Sequence, residues 1–464
     1  MYIEQLYTNC LAQACYYVES NGEAAIIDPI RDTDAYIAKA AERGAKIKYI
    51  FETHFHADFV SGHLDLAAKT GAQIIYGPDA TTEYDVYNAK DGEVFELGKI
   101  SFTVLHTPGH TLESSCYLLK DEAGKDHSLF SGDTLFVGDV GRPDLLDGVM
   151  TKEELAGMMY ESLNTKIKPL ADEVLLYPGH GPGSSCGKNL GPETHSTLGA
   201  QKATNYALQP MDKEEFIRQV TDGITAPPAY FFADAKLNKN GYRSLEEVIA
   251  EANTALSLDQ FENYKNEGIQ VLDVRIPDEF ENGFIPGALN IGLNGQFAIW
   301  AGTLLPIHEP LLLVAPEGKE EEAIIRLARV GFDQIKGYLR GGMDVWTKAG
   351  KDLDMAISIE PEELALDYKH SSIQVLDVRK PGEWDTCHLE GAIHGSLQDL
   401  ESKMNSLNKE TPYYVHCAGG YRSMIAVSML KAQGFDHVRN VYGGWSKIKE
   451  LDLPKVMPSK AKQG

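Results

Sequence analysis

The stretch THFHADFVSGH, Thr53 to His63, decides the fold of the first half of the chain and raises its main chemical question. Its His54, His56 and Asp58 are of the residue types that bind metal ions, and they stand at alternate positions. The next position, where a histidine for a second metal ion would be expected, holds Phe59. The question is which chemistry uses such an incomplete pair of metal sites.

Three later stretches carry further residues of these types. They are TPGH at Thr107–His110, SGD at Ser131–Asp133 and YPGH at Tyr177–His180. A single histidine at the end of a strand is more often a hydrogen-bonded polar residue than a ligand. Four such stretches in this order are specific, and because several strand-like runs end on His or Asp, these side chains are expected along one rim of the fold.

Composition limits the classes of function. The chain has 464 residues, 43% of them hydrophobic, which predicts a globular protein of two to four domains. A net charge of -25 argues against binding nucleic acid or an anionic membrane. No apolar run reaches a membrane span, and no signal peptide is visible at the N-terminus. Six scattered cysteines predict no disulfide framework, so a reducing cytoplasm is the expected compartment.

An internal repeat organises the second half. IQVLDVRIPDEF begins at Ile269 and IQVLDVRKPGEW at Ile373, and each copy continues through a proline and an apolar strand. Short β-branched runs alternate with helical stretches, which is typical of small parallel α/β domains. The predicted domains are 1–255, 256–355 and 356–464. The first also alternates strand-like runs with helical stretches, and its last segment, from Pro210 to about Leu258, is interpreted as a polar helical connector.

The second copy contains a cysteine at a chemically distinctive position. HCAGGYRS, His416 to Ser423, follows a strand and precedes a helical stretch, so Cys417 opens a tight loop next to a helix N-terminus. Backbone N–H groups in such a loop favour a thiolate and bind anions. The predicted active-site loop comprises Cys417 and the residues Ala418, Gly419, Gly420, Tyr421, Arg422 and Ser423. In the first copy Cys417 aligns with Ala315, so that copy is predicted to be inactive.

The four stretches of the first half resemble the metallo-β-lactamase superfamily, an αββα sandwich with metal ions at the sheet edges. That resemblance implies one site from His54, His56 and His110 and a second from Asp58, the position of Phe59, and His180, with Asp133 bridging. A phenyl ring cannot bind a metal ion. Either the chain is a hydrolase that still holds two zinc ions, or it has one site of two histidines and a carboxylate, as expected of non-haem Fe(II) oxygenases.

THFHADFVSGH, HTPGHT, FSGDTLF and GRPDLL together resemble the persulfide dioxygenases of this superfamily. The resemblance implies one Fe(II) per chain, bound by His54, His110 and Asp133. His56, Asp58 and His180 would then orient these ligands and handle protons. Arg142 of GRPDLL is expected either to pair with a substrate carboxylate or to form a structural ion pair, and Cys186 either to handle sulfur near the metal or to be an incidental thiol.

Residues 357 to about 452 resemble a rhodanese domain, a sulfurtransferase that carries a persulfide on its cysteine. This implies catalytic roles for Cys417 and Arg422, whereas Arg379 and Glu383 are expected to form a structural ion pair. The complete arrangement resembles bacterial fusion proteins of sulfide detoxification. It implies oxidation of a low-molecular-weight persulfide by O₂ to sulfite, coupled to sulfur exchange with sulfite and thiosulfate, in a homo-oligomer.

Two alternatives remain open at this point. One is a zinc thioester hydrolase of the glyoxalase type fused to a rhodanese; the other is a sulfane-sulfur carrier or sensor. The sequence does not identify the carrier thiol, whether glutathione, coenzyme A or another, and it does not set the direction of sulfur transfer.

Overall fold

The computed structural model describes residues 1–146, 148–188, 190–370 and 373–457. The described chain divides into two compact units. One contains Met1–Val248 with Ile325–Asp333, and the other contains Ile249–Ile324 with the residues from Gln334 onwards. The predicted end of the last domain, at 464, lies outside the described residues. Within the described ranges, no helix combines the length and apolar character that a membrane span requires.

Two six-stranded sheets form the first unit. The strands of the first sheet, in spatial order, are β1 (Tyr2–Thr8), β2 (Gln13–Ser20), β3 (Glu23–Ile27), β4 (Lys46–Phe51), β5 (Gln73–Tyr76) and β6 (Tyr87–Asn88). In the second sheet, too, neighbouring strands follow one another in the chain. Its strands, in spatial order, are β7 (Val94–Leu97), β8 (Ile100–His106), β9 (Ser115–Lys120), β10 (Asp126–Gly132), β11 (Leu175–Pro178) and β12 (Ser196–Thr197).

Apolar side chains from both sheets fill the space between them. Tyr16, Phe51, Phe102, Tyr117 and Phe130 belong to this buried cluster. Their rings pack at tilted or edge-on angles, the geometry that aromatic quadrupoles prefer. Because side chains alternate across a strand, the opposite face of each sheet also needs a cover.

Helices supply that cover. The helices of this unit are α1 (Asp34–Arg43), α2 (His63–Thr70), α3 (Lys152–Ser162), α4 (Leu198–Thr204), α5 (Lys213–Thr221), α6 (Tyr230–Asn240) and α7 (Leu245–Ala252), the last of which continues past Val248. Helices α1 and α2 lie against the first sheet, and Met159 of α3 and Phe216 of α5 pack on the outer face of the second. The predicted αββα sandwich is confirmed.

The second unit contains two parallel five-stranded sheets with the same strand order. The first copy contains β13 (Ala255–Leu256), β14 (Gln270–Asp273), β15 (Leu289–Asn290), β16 (Leu311–Val314) and β17 (Ile335–Leu339) in the order β13-β17-β16-β14-β15. The second contains β18 (Ile357–Ile359), β19 (Gln374–Asp377), β21 (Ile393–His394), β22 (Tyr413–His416) and β23 (Val438–Val441) in the order β18-β23-β22-β19-β21. A separate pair joins β20 (His388–Leu389) to β24 (Lys455–Val456).

The helices of this half, counting from its first, are α8 (Leu258–Asn266), α9 (Pro277–Phe280), α10 (Phe297–Leu304), α11 (Glu320–Ala328), α12 (Gly342–Lys348), α13 (Pro361–His370), α14 (Pro381–Thr386), α15 (Leu400–Met404), α16 (Tyr421–Ala432) and α17 (Trp445–Ile448). The central strands β16 and β22 are buried along their whole length, as parallel strands covered on both faces must be. The matching strand orders confirm the internal repeat that the sequence predicts.

Candidate metal centre and cysteine loop

The three predicted iron ligands come together at the edge of the sandwich. His54 follows β4, His110 follows β8 and Asp133 follows β10. One ligand atom from each lies within 4.8 Å of the others, and all three residues are buried. Asp133 Oδ2 is 3.9 Å from His54 Nε2 and 3.5 Å from His110 Nε2. The three atoms therefore face one common point.

Neighbouring groups fix both imidazoles in the tautomer that a metal ion needs. Thr53 Oγ1 donates to Asp28 Oδ2 at 2.9 Å, so it accepts from His54 Nδ1, also at 2.9 Å. His110 Nδ1 donates to the carbonyl of Arg142 at 2.8 Å. Each Nε2 is left with a free lone pair. Burial, followed by the charge of His56, holds the pKa of His54 well below its usual value, which favours the neutral form that binds metal ions.

Asp133 presents one oxygen to this point. His180 Nδ1 lies 2.8 Å from Asp133 Oδ1 and occupies that oxygen. Oδ2 is buried and has no hydrogen-bond partner among the described residues. Burial opposes ionisation, but the neighbouring histidines, His180 first, keep the pKa of Asp133 below its ordinary value. Two imidazole Nε2 atoms and an unpaired buried carboxylate oxygen fit a divalent cation.

Gly141, the first residue of GRPDLL, lies against two of these residues, Asp133 and His110. Its N–H donates to the carbonyl of Asp133 at 2.9 Å. A Cβ at this position would lie 2.2 Å from that carbonyl oxygen and 2.8 Å from His110 Nδ1. Only glycine permits this approach. The motif therefore supports the site through its main chain.

His56 is turned away from the three ligands. Its Nε2 lies 3.1 Å from Asp28 Oδ1 and 3.4 Å from Glu52 Oε2. Burial alone would lower the pKa of His56, but the two carboxylates outweigh it and raise that pKa to about 10. The ring of Phe59, fully buried, lies 4.3 Å from that of His56. The two-metal assignment of His56 beside His54 and His110 does not match this orientation.

Asp58, His180 and Cys186 form a second buried cluster, with one polar atom of each within 4.8 Å of the others. His180 Nε2 lies 2.7 Å from Asp58 Oδ2. Burial, followed by the charges of Asp58 and Asp133, raises the pKa of the Cys186 thiol well above its ordinary value. Cys186 thus lies beside the predicted ligand-orienting residues, as an uncharged thiol.

The Arg142 side chain takes the ion-pair alternative. Its Nε and Nη2 lie 2.6 and 2.8 Å from the two oxygens of Asp144. Nη2 also donates to the carbonyl of Thr225 at 2.5 Å. The side chain is buried. In this arrangement the guanidinium is engaged by the protein itself.

Helix α6 contributes residues that the sequence interpretation as a connector missed. Asn238 Nδ2 donates to the carbonyls of His56 and Phe59 at 2.7 and 2.8 Å, and its Oδ1 accepts from the N–H of Ser61 at 2.8 Å. One turn earlier, Asp234 is completely buried, and neither carboxylate oxygen has a hydrogen-bond partner among the described residues. No motif marked these positions in the sequence.

Cys417 lies directly after β22, as predicted. Its Sγ is buried and accepts a hydrogen bond from the N–H of Gly420 at 3.1 Å. Gly420 has a φ of 108°, and the next residue, Tyr421, begins helix α16. Ser423 Oγ lies 3.6 Å from Sγ. The loop from Ala418 through Gly419 to Ser423 thus wraps the sulfur as the sequence predicts.

The predicted ion pair between Arg379 and Glu383 is wrong. Arg379 pairs with Asp377, Nη2 to Oδ2 at 2.5 Å, because Asp377 ends β19 only two residues earlier. Glu383 instead pairs with Arg422, with two contacts of 2.6 and 2.9 Å. Glu383 is therefore the direct partner of a residue of the cysteine loop, and it balances the charge of Arg422.

The equivalent loop of the first copy has no thiol. Ala315 follows β16 as Cys417 follows β22, and the two strands occupy equivalent central positions in their sheets. The residues after Ala315 lead into α11, whose first turn contains Glu320, Glu321 and Glu322. Carboxylates at a helix N-terminus occupy the position that an anion would need.

Comparison with known proteins agrees with this architecture. The family model described as the metallo-beta-lactamase superfamily matches residues 8–180, and the model of the rhodanese-like domain matches residues 257–349 and 360–451. The crystal structure of a metallo-beta-lactamase from Staphylococcus aureus subsp. aureus COL has 35% sequence identity and a TM-score of 0.64. The match covers 73% of this chain and 98% of that one.

Two curated relatives match part of the chain. A beta-lactamase hydrolase-like protein of Xylella fastidiosa (strain 9a5c) is 30% identical over 259 residues, covering 48% of this chain and 56% of that protein. The cytoplasmic hydroxyacylglutathione hydrolase of Arabidopsis thaliana is 33% identical over 164 residues, covering 35% of this chain and 60% of that protein. The chain thus spans little more than half the length of these relatives. Through its first unit the chain belongs to the metallo-beta-lactamase superfamily, and it carries two rhodanese-like domains.

Proposed function

We propose that the chain is a non-haem Fe(II) dioxygenase that oxidises a low-molecular-weight thiol persulfide to sulfite, and that Cys417 exchanges sulfane sulfur in the same protein. One observation carries the proposal. The Nε2 atoms of His54 and His110 and the Oδ2 atom of Asp133 face one point, with the other polar atom of each side chain already engaged. Two histidines and one carboxylate are the ligand set of non-haem Fe(II) oxygenases.

The surroundings favour one metal ion over two. Phe59 offers no lone pair, and His56 is paired with Asp28 and Glu52. Bound Fe(II) would supply the redox chemistry by which O₂ oxidises the terminal sulfur. In the overall reaction RSS⁻, O₂ and H₂O give RSH, SO₃²⁻ and H⁺, so sulfite receives its third oxygen from water. The protein's own part is to hold three ligands in place and to keep bulk water out of a buried site.

His180 orients the carboxylate ligand. By donating Nδ1–H to Asp133 Oδ1, it directs Oδ2 towards the metal point. Its other nitrogen faces Asp58 Oδ2, so this imidazole joins two carboxylates. His180 is therefore placed to hold the proton that must reach the departing thiol. Such hydrogen-bonded supports commonly set the affinity and reactivity of a metal centre.

Cys417 performs the second step in this proposal. Its thiolate attacks the outer sulfur of thiosulfate, the S–S bond breaks, and sulfite leaves with the electron pair, giving a cysteine persulfide. An acceptor thiolate then takes the outer sulfur and regenerates the Cys417 thiolate; the reverse sequence consumes sulfite. The N–H of Gly420 donates to Sγ in the structure and would stabilise the thiolate in both steps. Since both sites are on one chain, the product of the first is available at high effective concentration to the second.

A second candidate function rests on one finding. The similarity to a hydroxyacylglutathione hydrolase favours a zinc thioester hydrolase on the same scaffold. That chemistry commonly uses a hydroxide between two metal ions, which the orientation of His56 and the Phe59 ring disfavour. A sulfane-sulfur carrier or sensor would need no complete set of metal ligands.

The test is anaerobic purification followed by metal analysis and measurement of O₂ uptake with glutathione persulfide. We expect one iron per chain and persulfide-dependent O₂ uptake that is lost in His110→Ala and kept in Cys417→Ser. Two zinc ions per chain with no O₂ uptake would exclude the dioxygenase and favour the hydrolase. Normal sulfur transfer by Cys417→Ser would exclude the role of Cys417.

A further inference from the structure

The first rhodanese-like copy lacks a thiol, yet it is hydrogen-bonded to the cysteine loop of the second copy. The connection begins at Cys417. Its Sγ lies 3.6 Å from Ser423 Oγ, and Ser423 Oγ lies 2.6 Å from Asn440 Oδ1. Ser423 and Asn440 are both buried. Water is thus excluded from these contacts, and the orientation of each group depends on its protein partner.

The connection continues into the first copy. Asn440 of β23 is paired in register with Ser358 of β18, and Asn440 Nδ2 donates to Ser358 Oγ at 3.1 Å. Ser358 Oγ donates to Glu281 Oε2. Glu281 directly follows helix α9 of the first copy. Tyr442 donates its hydroxyl to the other oxygen of Glu281. We call Glu281, Ser358, Asn440 and Ser423 the Glu281 relay.

Glu281 accepts a hydrogen bond through each carboxylate oxygen, and this sets the orientation of Ser358 and Asn440 in the relay. An ionised carboxylate only accepts, so the Ser358 hydroxyl must donate to it and can accept only from Asn440. Asn440 must therefore turn its amide NH₂ to Ser358 and its carbonyl oxygen to Ser423. The oxygen of Asn440 then faces Ser423 Oγ, which also lies 2.9 Å from the carbonyl of Gly420. Because both of these neighbours are acceptors, the Ser423 proton is held between them, and a lone pair of Ser423 accepts from the Cys417 thiol.

A second set of contacts fixes the helix that carries this loop. Tyr421 Oη donates to the carbonyl of Gly292 at 2.7 Å, and Ser428 Oγ accepts from the N–H of Asn290 at 3.0 Å. A Cβ on Gly295 would lie 2.5 Å from the Tyr421 ring. Contacts from the first copy thus fix the first two turns of α16, at Tyr421 and at Ser428.

We infer that the first rhodanese-like copy is a positioning domain for Cys417, and that Glu281 is its key positioning residue. This inference rests on the proposed sulfur transfer at Cys417. Glu281 touches neither substrate nor sulfur; it acts through Ser358 and Asn440 on the hydroxyl of Ser423. The copy without a thiol thereby raises the activity of the copy that has one.

The experiment uses the full chain and compares Glu281→Ala, Glu281→Gln and the matched control Glu279→Ala, an exposed carboxylate on α9. Sulfur transfer from thiosulfate to cyanide is measured together with the rate at which iodoacetamide alkylates Cys417, followed on its own peptide by mass spectrometry. In Glu281→Ala we expect kcat and the alkylation rate to fall about tenfold, the equivalent of about one hydrogen bond, with a KM for thiosulfate within about twofold of wild type.

Glu281→Gln retains an oxygen acceptor for Ser358, so it should restore kcat to within about threefold of wild type. Ser423→Ala removes the last member of the relay, and adding Glu281→Ala to it should cost nothing further, because both act on the same group. Wild-type rates in Glu281→Ala, or additive losses in the double variant, would overturn the inference. If the wild type transfers no sulfur, the proposed function fails, and the alkylation rates still decide whether Glu281 positions Cys417.

Discussion

The imidazole of His180 lies between two carboxylates, with Nδ1 2.8 Å from Asp133 Oδ1 and Nε2 2.7 Å from Asp58 Oδ2. Asp133 is thereby held by one oxygen, and its other oxygen is directed at the point that His54 and His110 face. The orientation of the candidate ligand Asp133 is consequently set by His180, which does not itself face that point.

His180→Ala should weaken Fe(II) binding about 10- to 100-fold, because Asp133 loses the donor that fixes its carboxylate. His110→Ala should abolish tight binding. Anaerobic titration against a competing chelator measures both. His127→Ala, a half-buried histidine whose Nδ1 contacts Ser128, serves as the control and should bind like wild type. Unchanged affinity in His180→Ala would contradict this account of Asp133.

Asn238→Ala should lower the free energy of unfolding of the first unit by about 3 kcal/mol, because it leaves two buried carbonyls and one N–H without partners. These groups belong to His56, Phe59 and Ser61. Urea unfolding monitored by far-UV circular dichroism measures the change. Lys236→Ala, an exposed position of the same helix, should be neutral. A loss in Asn238→Ala no greater than in the control would mean that the helix does not secure the loop.

Asp234→Asn should stabilise the protein, and the gain should grow as pH rises. Burial first, and then the charge of Asp58, raises the pKa of Asp234 well above its ordinary value. The unfolded chain releases this proton near its usual pKa of about 3.9, whereas the folded chain retains it to higher pH. Between the two pKa values the folded state binds more protons, so each rise in pH costs stability.

Unfolding free energies of wild type and Asp234→Asn at about pH 5 and about pH 8 check this sign, because other titrating groups cancel in the difference. A larger advantage of the variant at the higher pH is expected. A difference that is constant with pH, or that shrinks as pH rises, would rule out a buried carboxyl group that resists ionisation.

Introducing a cysteine into the first copy should not create a sulfurtransferase. In the variant Ala315→Cys/Cys417→Ser the new thiol would precede Pro316 and Glu317, and the next helix begins with three glutamates. Negative charge at a helix N-terminus disfavours a thiolate and an anionic sulfur donor. We expect no gain of one sulfur atom at residue 315 by mass spectrometry after exposure to thiosulfate. Ala315→Cys alone should transfer sulfur at the wild-type rate, through Cys417.

The sequence predicts the sandwich and the repeat because these depend on strong local patterns, and the candidate ligand set follows from the family resemblance of a few short motifs. His54, His110 and Asp133 come shortly after the ends of three strands, and the structure brings their side chains together at one rim. The loss of the thiol at Ala315 follows from the alignment of two strands. These features can be predicted without knowing which distant residues contact one another outside the sheets.

Other features depend on contacts that no local pattern encodes. Asn238 lies about 180 residues along the chain from the loop to which it is hydrogen-bonded. The polar composition of its helix predicts only a connecting segment. Glu383 was predicted to pair with Arg379 because both lie in one motif, but Arg422 is nearer to it in the folded domain. The Glu281 relay joins two copies that the sequence presents only as repeats.

The support of His110 by the carbonyl of Arg142 has a consequence for how the site can vary. A main-chain oxygen is present whatever side chain stands at position 142, so no substitution there deletes the acceptor that fixes the His110 tautomer. A substitution of Arg142 would therefore break its pair with Asp144 and its bond to the Thr225 carbonyl but would leave this acceptor of His110 in place. Position 141 differs, because a Cβ there would lie 2.2 Å from the carbonyl oxygen of Asp133 and 2.8 Å from His110 Nδ1, and any side chain would displace the imidazole that this acceptor fixes.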